Sequence, residues 1–130
     1  MINSTAFDYI NVLGKAADAS WKRENIIANN LANVNTPGYK RKDIDFGAVL
    51  NKELGDCKHK SLDAKMSELD LGSLNPSVYT DAANYSYRLD GNNVDIDTEQ
   101  VELASEQIKY EALTSSISSE FDRIRTAMSK

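Results

Sequence analysis

Residues 1–38 read MINSTAFDYINVLGKAADASWKRENIIANNLANVNTPG. Spaced at about 100° per residue, Ile10, Leu13, Ala17, Trp21, Ala28 and Leu31 fall on one face, the pattern of a long amphipathic helix. That face is expected to form the seam against a partner helix. Glu24 lies within it, where such a seam favours an apolar side chain, so it needs a basic partner or marks register. The helix is expected to stop at residues 33–36. Pro37 disfavours helical backbone at Thr36, and Pro37-Gly38 suits positions i+1 and i+2 of a type II turn.

The other end of the chain repeats the pattern. Asp97 is expected to cap a helix with Gln100 three residues on, and no Gly or Pro interrupts the run to Lys130, roughly 50 Å at about 1.5 Å per residue. Leu103, Tyr110, Leu113, Ile117, Phe121, Ile124 and Met128 share one face, with Glu106 as a charged intruder. Val101, Ala104, Ile108 and Ala112 lie on nearly the opposite side, and one partner helix cannot cover both faces. They predict a second packing surface. Further along, that side becomes Ser115, Ser119 and Thr126, small hydroxyl residues suited to a hydrated wall.

Between them lies an irregular segment. The division is therefore 1–38, helix and turn; 39–96, irregular middle; 97–130, C-terminal helix. Residues 46–54 suit a short helix, and residues 55–76 show little periodicity. Tyr85-Ser86-Tyr87-Arg88-Leu89 alternates like a strand before the turn Asp90-Gly91-Asn92-Asn93, predicting a β-hairpin with residues 94–97. The fold class expected is all-α dominated, with the two long helices paired as a coiled coil. Such a pair encloses little core, so the chain is expected to complete its packing against other subunits.

Composition sets limits on function. At 130 residues the chain is one modest domain, and a net charge of −5 lacks the surplus of Lys and Arg that nucleic-acid binding uses. No run approaches the roughly 18 apolar residues of a membrane span, and MINSTAFDYI has no basic-then-apolar leader, so a soluble, uncleaved chain is expected. Cys57 is the sole cysteine and His59 the sole histidine. With Asp56 they suggest a metal or Cys/His catalytic pair, but they fall in the segment with least regular structure, and a nucleophile needs rigid support. Asp90, Asp95, Asp97 and Glu99 resemble a calcium loop only loosely, because the glycine falls second instead of sixth; a turn and N-cap is the preferred reading. Lys40-Arg41-Lys42 reads as a solvated face or subunit contact. Gly-rich phosphate loops and catalytic motifs are absent, so no enzyme, cofactor, metal or small-molecule substrate is expected.

Residues 25–46, NIIANNLANVNTPGYKRKDIDF, resemble the signature of the bacterial flagellar rod and hook protein family. The likeness rests on Asn29-Asn30-Leu31-Ala32-Asn33 followed by Asn35-Thr36-Pro37-Gly38-Tyr39 and a basic residue. Asp90-Gly91-Asn92-Asn93-Val94-Asp95, then Glu99, Ala104, Gln107, Tyr110 and a long helix, resembles the proximal-rod members in particular. A His-Pro-Asp element of a sibling rod protein is missing. The resemblance covers the two ends and leaves residues 55–84 unmatched. It implies a subunit of the periplasmic drive shaft, stacked helically into a hollow tube with a polar inner wall. It also implies export unfolded through the flagellar type III apparatus, and partners that include other rod proteins, the adapter protein FliE and the export gate. From the residues alone, the rival reading is a soluble coiled-coil adaptor or secretion chaperone, which the same stripes and acidic charge would suit.

Overall fold

The computed structural model describes residues 5–55, 60–81, 86 and 88–129. Its order is α1 (Thr5–Ala32), β1 (Lys42–Asp43), α2 (Phe46–Gly55), α3 (Leu62–Glu68), β2 (Tyr79–Thr80) and α4 (Ile96–Met128). The two long helices pack on each other and dominate the fold. They run antiparallel, since Asn30 meets Glu99 while Arg23 meets Glu106. Both pairs step by seven residues in opposite senses along the two chains, the heptad register of a helix–helix seam.

α1 ends where proline and glycine stop it. Asn33 N–H still bonds Asn29 O (3.1 Å) and Asn30 O (3.2 Å), after which Tyr39 N–H bonds Thr36 O at 3.1 Å across Pro37-Gly38. Gly38 has φ +74°, the left-handed value that position i+2 of a type II turn requires. α4 starts at Ile96, and its cap lies two residues before the expected Asp97. Its cap is Asp95, whose carboxylate accepts from Asp97 N–H and Thr98 Oγ1–H, both at 3.1 Å, satisfying a donor at the open helix end.

The middle segment holds α2 where a short helix was expected, and a second helix, α3, where no periodicity was visible. At seven residues α3 is too short to display a period; Ser61 Oγ caps it by accepting from Ala64 N–H at 3.3 Å, and Tyr9 OH ties it to α1 through Asp63 at 2.8 Å. The small antiparallel sheet is present but is made by other residues. β1 pairs with β2 in the register Lys42↔Thr80 and Asp43↔Tyr79, joining strands too far apart in sequence for a hairpin. Residues 85 and 87 of the expected hairpin lie outside the described residues; its second arm is not a strand, because Ile96 already begins α4.

The seam itself corrects the sequence reading. Trp21 is 60% exposed and Ala28 is exposed, whereas Ser20, Ile27 and Asn30 are buried. Ile10 and Ala17 are buried, and Leu13 and Leu31 are half-buried. The C-terminal half of α1 is thus turned so that polar side chains face α4, which an apolar periodicity cannot reveal. On α4, Leu103, Tyr110, Leu113, Ile117 and Ile124 are half-buried along the expected face, but Phe121 and Met128 are exposed. Continuing the heptad register puts Phe121 level with the first turn of α1, and Met128 one heptad past it. Nine apolar residues, Pro76 among them, and seven polar ones are buried among those described, so the interior is held by hydrogen bonds nearly as much as by apolar contact.

Candidate assembly site

The two ends of the chain that carry the family-like motifs meet in space, at the end of the helix pair where α1 stops and α4 starts. Asn30, fully buried in the last turns of α1, is the centre of this junction. Its Nδ2 donates to Lys42 O (2.8 Å) and Glu99 Oε2 (3.0 Å); its Oδ1 accepts from Lys42 N–H and Tyr39 O–H, both at 3.1 Å. The amide acts as a peptide-like strand partner for β1, and it holds the chain after the turn against α4. Asn29 and Asn33 instead bond the backbone four residues back along α1, at 2.9 and 2.8 Å, and Asn35, Thr36, Pro37 and Gly38 are exposed. Leu31 is half-buried beside them, and Ala32 is exposed.

The loop before α4 is sewn to the same turn. Asn92 Nδ2 donates to Val34 O (3.0 Å), Lys40 Nζ to Gly91 O (2.7 Å), and Arg41 N–H to Asn93 Oδ1 (2.7 Å). Asn93 in turn donates to Asp81 O at 2.8 Å, next to β2. Asn92, Asn93 and Val94 are buried.

A buried ion network extends from the junction down the seam. Arg41 bonds Glu99, Asp43 Oδ2 (3.0 Å) and Asp81 Oδ2 (3.2 Å). Arg23 takes Asp43 Oδ1 (2.8 Å), Glu102 Oε2 (2.9 Å) and Glu106 Oε2 (2.9 Å). Ser20 Oγ donates to Glu106 Oε1 at 2.7 Å, and Lys109 adds a contact at 3.2 Å. Burial alone would raise the Asp43 carboxyl, but hydrogen bonds from Arg23 and the Ile44 N–H, with the charges of Arg23 and Arg41, leave it below its ordinary value. Glu106 behaves alike: burial raises it, and hydrogen bonds from Ser20, Arg23 and Lys109 bring it below. Arg23 is held protonated by hydrogen bonds to Asp43 and Glu106 against the opposing cost of burial. Sequence reasoning marked Glu106 as an intruder but passed over Arg23 and read Arg41 as a surface contact. The available signal was the matched heptad spacing of Arg23 with Asn30 and of Glu99 with Glu106. Glu24 is half-buried, and its Oε1 has no partner among the described residues.

Of the carboxylates that loosely suggested a calcium loop, Asp95 caps α4, Glu99 bonds Arg41 and Asp90 pairs with Arg88 at 3.0 Å. Cys57 and His59 lie outside the described residues. An open groove of about 730 Å³ beside the α4 N-terminus is lined by Arg41, Asp81, Arg88 and Glu99 among others, and no Ser, Cys or His lines it among the described residues. No helix among those described is long and apolar enough to cross a membrane.

The outer side of α4 is left open. Val101 and Ile108 are each 69% exposed, and Ala104 and Ala112 are exposed with them. Ser115, Ser119 and Thr126 are exposed too, the last two donating to the backbone four residues back, at Ser115 O (3.0 Å) and Asp122 O (2.8 Å).

Residues 10–40, which contain most of the junction's α1 side, match the family described as flagella basal body rod protein. The chain is 33% identical to the flagellar basal body rod protein FlgB of Bacillus subtilis over 106 residues, 82% of this chain and 81% of that one. The chain belongs to the FlgB family of flagellar basal body rod proteins. Proteins named FlgB from Proteus mirabilis and Cereibacter sphaeroides are 36% and 30% identical, over 76% and 93% of this chain and 77% and 94% of theirs. At 122 aligned residues the FlgB likeness extends into the middle segment, beyond the two ends that carry the motifs. The FlgB family is one of structural components of the flagellar rod in the basal body, not of enzymes.

Proposed function

We propose that the chain is a structural subunit of the proximal rod that packs helically with copies of itself and other rod proteins into the hollow drive shaft. The shaft transmits torque and encloses the export channel. Residues 1–38 and 97–130 build the tube wall, and the middle segment 39–96 braces their junction. The observation that carries this reading is the open apolar face of α4 at Val101, Ala104, Ile108 and Ala112, on the side opposite the seam. A face of that kind calls for a protein partner. Ser115, Ser119 and Thr126 then offer a hydrated surface toward the channel. FliE and the export gate are the neighbours at the rod base. Neither nucleic acid nor a small-molecule substrate has a role. The subunit works outside the cytoplasmic membrane, in the periplasm, after type III export without a cleaved signal peptide.

The test compares the protein free and within purified basal bodies by hydrogen exchange. A rod subunit co-purifies with basal bodies, and its α4 amides are weakly protected when free and strongly protected when assembled. A soluble adaptor or chaperone instead stays in the cytoplasmic fraction as a fully protected discrete species, and that result would sink the rod reading.

A further inference from the structure

α1 carries an outer ridge that the intrachain fold leaves uncovered. Phe7, Gly14, Trp21 and Ala28 recur every seven residues, large then small, and Phe7, Trp21 and Ala28 are exposed. A Cβ added at Gly14 would meet nothing within 4 Å, so no intrachain contact accounts for a glycine where alanine would favour the helix more. On α4 the exposed residues Val101, Ala104, Ser105 and Ile108 stand at i, i+3, i+4 and i+7. That spacing is the four-residue hole that receives one knob, here with an apolar rim and a floor of small side chains.

The charges beside these two features are complementary. Lys15 and Lys22 flank the α1 ridge one heptad apart, with Asp18 between them; Asp97 and Glu111 flank the α4 hole. Lys15, Asp97 and Glu111 make no ion pair among the described residues, and Lys22 is engaged only through its bond to Pro76 O at 3.2 Å. We propose that Trp21 of one copy seats in the Val101/Ala104/Ser105/Ile108 hole of a second copy, with Lys15 and Lys22 facing that copy's acidic flank. This rests on the reading of the chain as an assembly subunit, and it names the partner of the open α4 face. Ridge and hole are different surfaces, so the contact is head-to-tail and a joined pair keeps one free ridge and one free hole. A contact of that type propagates instead of closing into a dimer.

The test uses the full chain with Cys57→Ser, its only native cysteine removed. One batch carries Trp21→Cys and a second carries Ala104→Cys; both positions are exposed, and circular dichroism checks that each variant keeps its helices. Mixing the two under mild oxidation is expected to give a disulfide between the variants, with no dimer from either alone. In the native chain, emission from Trp21, the sole tryptophan, is expected to move to shorter wavelength as concentration rises, and Ile108→Asp to abolish that shift. A Trp21→Cys homodimer, or no disulfide at the highest soluble concentration, overturns the pairing. Basal-body incorporation separates the two readings. A tagged chain found in basal bodies whose Trp21→Cys joins another protein refutes the second-copy contact and leaves the rod reading standing. A mixed disulfide from a chain that never enters basal bodies does the reverse.

Discussion

Asn30 Nδ2 reaches Glu99 Oε2 at 3.0 Å across the α1–α4 seam, while the other face of the same amide brackets the backbone of Lys42. One side chain thus ties both long helices to β1. Asn30→Ala is expected to leave Lys42 N–H, Lys42 O, Tyr39 O–H and Glu99 Oε2 without this partner, Glu99 Oε1 keeping Arg41, at a cost of roughly 1–3 kcal/mol for each group that stays buried and unsatisfied. Asn30→Asp is isosteric, yet it loses both donors and sets a second carboxylate against Glu99, so it should destabilise more than the alanine variant. Urea midpoints for the two variants check the order; equal midpoints would mean that Glu99 is not engaged by this amide.

The carboxyls of Asp43 and Glu106 lie below their ordinary values in the folded chain. As acid is added, the unfolded chain therefore binds these two protons before the folded one, and stability falls in that interval. Their contribution is present in full above about pH 5. It is lost as pH drops from the unfolded values, about 3.9 for Asp and 4.3 for Glu, through the depressed folded ones. Urea midpoints against pH should be flat above that threshold and decline below it, and a double Asp43→Asn/Glu106→Gln variant should flatten the decline.

Much of the helical frame could be read from residues 1–38 and 97–130, because apolar stripes and the Pro37-Gly38 stop are local signals. What the stripes could not show was which side of α1 faces α4. Trp21 and Ala28 align with Ile10 in sequence, but Arg23 and Asn30 complete ion pairs and hydrogen bonds on a different side, and satisfying those buried groups outweighs hiding two apolar ones. The junction was legible only as two separate motifs. Their meeting depends on Asn92 and Asn93 bonding backbone more than fifty residues away, at Val34 and Arg41, and one chain read alone carries no signal of that distance. α3 and the two-residue strands are too short to show a period at all.

Gly38 at φ +74° sits where any side chain is strained, although a Cβ there meets open space. Gly38→Val is expected to cost about 1–3 kcal/mol through backbone strain alone, and to loosen the bond from Gly38 N–H to Asp90 O. Gly38→Asn should recover most of the loss, since asparagine tolerates left-handed backbone better than a β-branched residue. Hydrogen exchange at residues 90–93 reports the loosening; a Val variant as protected as the native chain would show that the turn does not position the loop.

Arg23 holds three carboxylates at once, of which Asp43 and Glu106 are buried. Removing the cation alone, as in Arg23→Met, leaves Asp43 only Arg41 and leaves Glu106 only Ser20 and Lys109, and roughly 1.5–3 kcal/mol of destabilisation is expected from the lost charged hydrogen bonds. Replacing the group together, as Arg23→Met/Asp43→Leu/Glu106→Leu, removes the desolvation cost along with the pairing, and stability should return to near the native value or exceed it. The two variants separate stability from register. The ion pairs link Arg23 only to positions 102 and 106 of α4, whereas an apolar seam has no such preference, so the triple variant should fold while losing the single helix–helix register. Disulfide trapping between cysteines placed at Ala16 and Leu113, level with each other when the Arg23–Glu106 step is continued by seven residues, measures that register directly. A triple variant that traps this one pair as efficiently as the native seam would show that apolar packing alone sets the alignment.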